Sequence, residues 1–314
     1  MTATAAADAN RNAVPLANFD PGSLIQISYS DLSAFHQCPR RYYYEKRLRM
    51  GTLPDSRTTA VRRGTVMHTL LEGARDRHLD EQQAAALFAR EGIEAPRERA
   101  ALLHAARRIL ESPDYAEVSA GSNVRRERQF YLPLHDSDVR QPVRFLKGYI
   151  DIQSTRADGS LLILDYKSGT RAGVSAADYE DQARCYALVG LAEGHPSVEV
   201  RFIRPEVDAP ESAAPDAPES ADMPETVSAA PDVPVSPDAD TPGAASAPQI
   251  FSLGPYTPAD YDAIEANLIA AIHEMEQTNP ASPCTGDIVA CKNCPLPPTA
   301  CPHRQNLETA LNNK

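Results

Sequence analysis

The chain has 314 residues and a formal net charge of −12, with no run of 18 apolar residues and no export signal, so a membrane span is not expected and a cytoplasmic location is. Ten of the twelve excess negative charges lie between residues 205 and 248 (Glu206, Asp208, Glu211, Asp216, Glu219, Asp222, Glu225, Asp232, Asp238 and Asp240), so the acidic total does not exclude a nucleic-acid partner. No G-x-x-x-x-G-K-S/T stretch occurs, which excludes a P-loop motor.

Residues 1–22 read as a loose polar tail, 23–302 as one domain and 303–314 as a C-terminal tail. Ser28 with Asp31 three residues on is a capping-box signal, predicting a helix through LSAFHQC that Pro39 breaks. Arg40 to Met50 follows as a basic, aromatic helix. Val61 to Leu79 is helical, with Gly64, His68 and Glu72 at four-residue steps on one face. Glu81 to Glu111 is alanine-rich and helical, interrupted near Gly92 to Pro96. Val124 to Leu134 alternates like a strand, and Val143–Gln153 with Leu161–Lys167 predicts a hairpin. Ser175 and Asp178 cap a helix from Tyr179 to Ala192. Val198–Ile203 and Gln249–Leu253 read as strands paired across residues 205–248. That stretch repeats DAPESA, holds ten prolines and has no Lys or Arg, so it reads as a disordered acidic insert at a hairpin tip. Thr257 to Gln277 closes the series as an amphipathic helix. The element order predicts an α/β domain with a mixed central sheet flanked by helices.

The chemistry concentrates on the hairpin. Asp165 and Lys167 stand two apart at the end of an apolar run, so a strand points both to one face and Tyr166 to the other. A three-residue turn Ala157–Gly159, with Gly159 left-handed, sets a register that puts Asp151 opposite Asp165. Two apposed carboxylates suit Mg²⁺ or Mn²⁺, and a cation beside them suits a charged phosphate. Metal-dependent phosphodiester cleavage needs that set. Glu127, on the preceding strand, is a further acidic candidate. Arg40, Arg41, Lys46 and Arg47, interleaved with Tyr42, Tyr43 and Tyr44, suit single-stranded nucleic acid, cations for phosphates and rings for bases. Inward packing of the tyrosines is the competing reading.

Six cysteines in a cytosolic chain raise a metal site above a disulfide. The tail runs Cys284-x6-Cys291-x2-Cys294-x6-Cys301. Either Cys284 or the distant Cys38 can complete four ligands, and the spacing serves zinc or iron–sulfur alike. Closure by Cys38 would tie the two ends together across about 250 residues. Cys185 lies among apolar helix residues and reads as a small buried hydrophobe.

Six segments in order resemble the PD-(D/E)XK nuclease superfamily in its RecB-like branch, and within it the iron–sulfur members such as CRISPR-associated RecB-like exonucleases and AddAB-type nuclease domains. They are SYSDLSAFHQCPRRYYY, GTVMHTLLE, GYID, DYKSG, QARCY and the cysteine tail, spanning Ser28 to Pro302 without the insert. The resemblance implies a restriction-endonuclease-like core, with a cysteine cluster joining the termini. It implies a divalent ion on His68, Asp151, Asp165 and the Tyr166 carbonyl, with Lys167 as the catalytic cation supported by Gln182 and Tyr186. It also implies a 4Fe–4S cluster on Cys38, Cys291, Cys294 and Cys301. The last tail spacing is one residue longer than the family's, and Cys284 is extra. The expected activity is a DNA exonuclease of repair or CRISPR adaptation, with DNA and a helicase or adaptation proteins as partners and no membrane. The alternative is a non-catalytic DNA-binding or assembly subunit on the same fold.

Overall fold

The computed structural model describes residues 25–50, 59–74, 77–136, 143–167, 174–205, 248–285, 291, 294, 296 and 298–303. The expected N-terminal tail, the acidic insert and the C-terminal tail therefore lie outside the described residues, apart from their end positions. Among the described residues no helix is long and apolar enough to cross a membrane.

A short strand, β1 (Ile25–Ser28), leads into α1 (Tyr29–Gln37). The Asp31 carboxylate accepts from the Ser28 amide at 2.9 Å, as a capping box requires, and also from the Ser28 hydroxyl at 2.6 Å. Cys38 is extended, and Pro39 starts α2 (Pro39–Tyr42), which widens into a π-helical turn over Tyr43–Arg47. The single helix expected from Arg40 to Met50 is thus two short pieces, the second underwound and ending before Met50. Next come α3 (Thr59–Gly73), α4 (Glu81–Arg90), α5 (Pro96–Glu111) and α6 (Pro113–Ala120). Two of these differ from the sequence reading. The third helix stops at Gly73 rather than Leu79, and α6 was not expected. Its start is the Ser112 hydroxyl accepting from the Tyr115 amide at 3.2 Å, with Pro113 in the first turn.

The strands β2 (Ser122–Leu134), β3 (Arg144–Thr155), β4 (Leu161–Tyr166), β5 (Val198–Arg204) and β6 (Gln249–Tyr256) join β1 in one mixed sheet. Its order is β1-β3-β4-β5-β6, with β2 on the other side of β3. Helices α7 (Glu180–Ala192) and α8 (Tyr261–Glu276) follow β4 and β6. The β3–β4 turn has Gly159 at φ 85°, its amide donating to Arg156 O at 3.0 Å. The register pairs Ile152 with Leu164, so the three-residue turn is the one that forms.

Helices cover both faces of the sheet. One core joins Leu146, Ile150 and Ile163 to α1, α7 and α8. The other joins Ile152, Leu164 and Ile203 to α3–α6. Burial on both faces explains why β4 reads as an unbroken apolar run.

Two features of β3 place the functional residues. Along one side it pairs first with β1, over Arg144–Lys147, and later with β4, over Ile152–Thr155. Gly148 to Asp151 lie in the gap between those two partners. Within that gap β3 changes face, since Ile150 packs into the first core and Ile152 into the second. Its neighbour β2 does the same across Glu127, with Phe130 in the first core and Val124 against the second. Glu127 has φ 44°, a left-handed backbone that non-glycine residues adopt only under strain.

Candidate active site

Asp151 is the hinge of the site. It sits 5% exposed in the gap of β3, and its Oδ2 accepts from the Tyr166 amide at 2.6 Å. Its Oδ1 lies 3.2 Å from His68 Nδ1 on α3. The β2–β3 register pairs Arg126 with Ile152 and Arg128 with Ile150, which places Glu127 opposite Asp151. Glu127 Oε1 reaches to 3.6 Å from the same imidazole nitrogen, too far for a hydrogen bond. That oxygen is buried with no hydrogen-bond partner. Among the described residues, His68, Glu127 and Asp151 form the group whose ligand atoms lie within 4.8 Å of one another.

Such a set fits a divalent cation. A buried carboxylate oxygen without a donor is costly unless something positive satisfies it. Burial alone would depress His68, but its contacts to Asp151 and Glu127 outweigh that and raise it to about 10. Burial, and then the nearby Asp165 charge, lift the Asp151 carboxyl to about 6. Both shifts are those of a negatively charged cluster that holds a proton where an ion would sit.

Asp165 belongs to a second group on the α7 side. Its Oδ1 lies 2.6 Å from Lys167 Nζ, and its Oδ2 accepts from Gln182 Nε2 at 2.8 Å. Gln182 Oε1 accepts from Lys167 Nζ at 2.7 Å, and its amide nitrogen donates to Tyr186 Oη at 2.8 Å. The one phenolic proton of Tyr186 serves either Asp165 Oδ2, at 2.9 Å, or Tyr149 O, at 2.8 Å. That carbonyl is one of those left over where β1 has ended and β4 has not begun. Lys167 also stands 5.6 Å from the ring centre of Tyr179 and 5.2 Å from that of Phe202. A cavity of about 470 Å³ opens beside it, lined by Tyr29, His36, Tyr179, Asp181 and Arg204 among others.

Asp165 and Lys167 lie side by side, Gln182 bonds to both, and Tyr186 bonds to Asp165 and Gln182 but not to Lys167. Tyr166 points the other way, its ring 6.0 Å from that of His68. The carboxylate nearest His68 besides that of Asp151 is Glu127, while Asp165 lies against Lys167. Glu127 stands out in sequence only as an acid between arginines, and nothing in that pattern shows its left-handed backbone.

The basic segment packs against the body of the domain. Arg40 Nε donates to Ser282 O at 2.8 Å, and its amide to Pro283 O at 3.2 Å. Arg41 pairs with Glu45 at 2.7 Å and Lys46 with Asp31 at 3.5 Å. Arg47 donates to Thr278 O at 3.1 Å and to Glu276 O. Tyr42 is in the first core, so the inward reading holds for that ring.

The same contacts bring Cys38 against the C-terminal cysteines. The Cys284 thiol is raised by burial and by Cys301, which it also hydrogen-bonds, with Cys38 close enough to add to the effect. The Cys291 thiol is raised by burial and by Cys301, Cys294, Cys38 and Cys284 in turn. Cys38, Cys284, Cys294 and Cys301 thus all lie within electrostatic reach of Cys291, with Cys38, Cys291 and Cys301 buried. Cys185 is elsewhere in the first core, its thiol pushed by burial up to about 12.

A sequence model of the PD-(D/E)XK nuclease superfamily matches residues 26–302. No curated protein matches the chain. Among solved structures, SSO0001 is 13% identical over 88% of this chain and 87% of its own, with a TM-score of 0.38. A presumptive exonuclease from Eubacterium rectale is 10% identical over 81% of this chain and 82% of its own, with a TM-score of 0.45.

Proposed function

The chain belongs to the PD-(D/E)XK nuclease superfamily, and on that premise we propose that it is a divalent-metal-dependent deoxyribonuclease acting on strand ends. The observation that carries this reading is Asp151, which links the His68–Glu127 pair to the strand end bearing Asp165 and Lys167. His68, Glu127 and Asp151 would hold Mg²⁺ or Mn²⁺, with Asp165 beside them. A bound ion supplies a more acidic water and a polarised phosphate.

The remaining work falls to the protein's own groups. Lys167 Nζ is held by its ion pair with Asp165 Oδ1 and by donating to Gln182 Oε1, and the ammonium has N–H donors to spare for a phosphate oxygen. Such a fixed donor stabilises charge that develops during the reaction. Gln182 and Tyr186 hold Asp165 Oδ2, so the carboxylate cannot turn away from the lysine. A subunit that only bound DNA would gain nothing from so ordered an acid–lysine pair.

On the resemblance of its cysteine tail, we further read the chain as a member of the RecB-like branch with a 4Fe–4S cluster on Cys38, Cys291, Cys294 and Cys301, a reading that the nearness of Cys38 to Cys291 favours. A cytoplasmic place in DNA repair, recombination or CRISPR adaptation, beside a helicase or adaptation proteins, is part of the same reading. The test is degradation of end-labelled DNA in Mg²⁺ or Mn²⁺, compared with the chelated protein. Metal-dependent loss of label supports the proposal. DNA binding without cleavage in either metal would leave the non-catalytic subunit as the reading.

A further inference from the structure

The sheet continues beyond the site as a face that is unusual for a solvated β-ribbon. On β2 and β3 the residues turned away from the first core are Gln129 and Tyr131 on one strand, Lys147 and Tyr149 on the other. The register pairs Gln129 with Tyr149 and Tyr131 with Lys147. Both tyrosines are 55% exposed, although their neighbours Phe130, Leu132, Leu146 and Ile150 are buried on the opposite face. Gln129 Nε2 donates to Tyr131 Oη at 2.7 Å, and Lys147 Nζ to Gln26 Oε1 at 3.0 Å. Among the described residues none of the four belongs to the second core, so the α3–α6 layer stops short of them.

We propose that this face is a stacking platform for single-stranded DNA, feeding the strand toward Asp151. The inference rests on the nuclease reading and names the form of DNA taken. Exposed rings with a lysine and an amide paired beside them suit unstacked bases and their phosphates. Tyrosines on diagonal cross-strand positions stand about 7–8 Å apart, so one strand can meet both rings. The platform runs into the site without a break, because Tyr149 and Gln129 are each two residues from Asp151 and Glu127. On the far side of Glu127, β2 presents the exposed Arg125 and Arg126, positive charges on a chain whose net charge is −12. A duplex buries its base faces within its own stack and cannot use the rings, so the platform selects single strands.

The experiment measures binding of a labelled oligothymidylate, and of its duplex with oligodeoxyadenylate, to the chelated full-length protein. Tyr131→Ala and Tyr149→Ala are each expected to weaken single-strand binding about tenfold and to leave duplex binding unchanged. Tyr131→Phe and Tyr149→Phe keep the ring and should bind as the parent does. The chain has no tryptophan, so Tyr131→Trp supplies a single indole whose fluorescence the oligothymidylate should quench. Alanine variants that bind single strands normally would overturn the platform. So would an equal loss of single-strand and duplex binding. Neither result touches the nuclease proposal, which is read by cleavage in metal.

Discussion

Gln182 spans Asp165 and Lys167, its Oε1 2.7 Å from the lysine and its Nε2 2.8 Å from the carboxylate. One amide thus fixes the relative positions of the acid and the base, while both are also joined directly at 2.6 Å. Removing the cation should lower cleavage far more than binding. Lys167→Ala is expected to cost about 10²–10³ in kcat with little change in melting temperature, since the side chain is partly exposed. Gln182→Ala, which leaves the lysine free to turn, should lose less. Steady-state cleavage beside a thermal melt checks this, and full activity in Lys167→Ala would remove it from the site.

Metal binding should expel protons. His68 is raised to about 10 and Asp151 to about 6, against ordinary values of 6.5 and 3.8. The ion requires the neutral imidazole and the ionised carboxylate, so affinity should weaken as pH falls. Both folded values lie above the ordinary ones. Each group therefore favours the metal-free fold at low pH and loses that contribution as pH rises, from 3.8 through about 6 for Asp151 and from 6.5 through about 10 for His68. Calorimetry of Mn²⁺ binding in buffers of different ionisation enthalpy reads the proton release directly, and its absence would refute the assignment of His68.

Gly148, the first residue of GYID, is fixed by packing rather than by φ. A Cβ there would lie 2.8 Å from Phe130 Cζ. The same ring meets Tyr186 edge-on at 6.2 Å, so displacing it also disturbs the support of Asp165. Gly148→Ala should destabilise the fold by about 1–3 kcal/mol and reduce kcat. Adding Phe130→Leu should recover stability more than activity. Chemical denaturation of the single and double variants separates the two effects.

The proposed 4Fe–4S cluster predicts a visible property. Protein purified without oxygen should be brown and contain iron and sulfide; a colourless preparation containing zinc would refute iron–sulfur. Cys38→Ala should bleach it, whereas Cys284→Ala should keep the colour if Cys38 is the fourth ligand. Cluster loss should also lower the melting temperature, because it releases a closure of about 250 residues. The contacts of Arg40 and Arg47 to residues 276–283 would still hold the ends near each other.

Much of this was legible in sequence because it depended on local rules. The Ser28 and Ser175 capping boxes and the Ala157–Gly159 turn are short-range patterns with few alternatives. The Asp165–Lys167 spacing transferred directly, since a strand admits one orientation for each residue. Two things were not legible. The change of face at Glu127 and Asp151 depends on which layer each flanking residue meets, and alternation alone places Ile150 and Ile152 together. The basic segment Arg40–Arg47 reads locally as a run of cations, and nothing in that run shows that Arg40 and Arg47 donate to carbonyls of residues 276–283, more than 200 positions away in the chain. Long-range partners of that kind leave no local signal.

The left-handed backbone of Glu127 sets stability against function. Its φ of 44° costs a non-glycine residue about 1–3 kcal/mol, and its buried Oε1 has no donor. Glycine accepts that backbone freely and brings no carboxylate. Glu127→Gly should therefore raise the melting temperature of the metal-free protein while weakening Mn²⁺ binding and cleavage. Glu127→Gln keeps the strain but loses the charge, and should bind Mn²⁺ weakly without the gain in stability. Thermal melts with and without Mn²⁺ distinguish the two variants. If Glu127→Gly bound Mn²⁺ as tightly as the parent, Glu127 would be strained for some reason other than the ion.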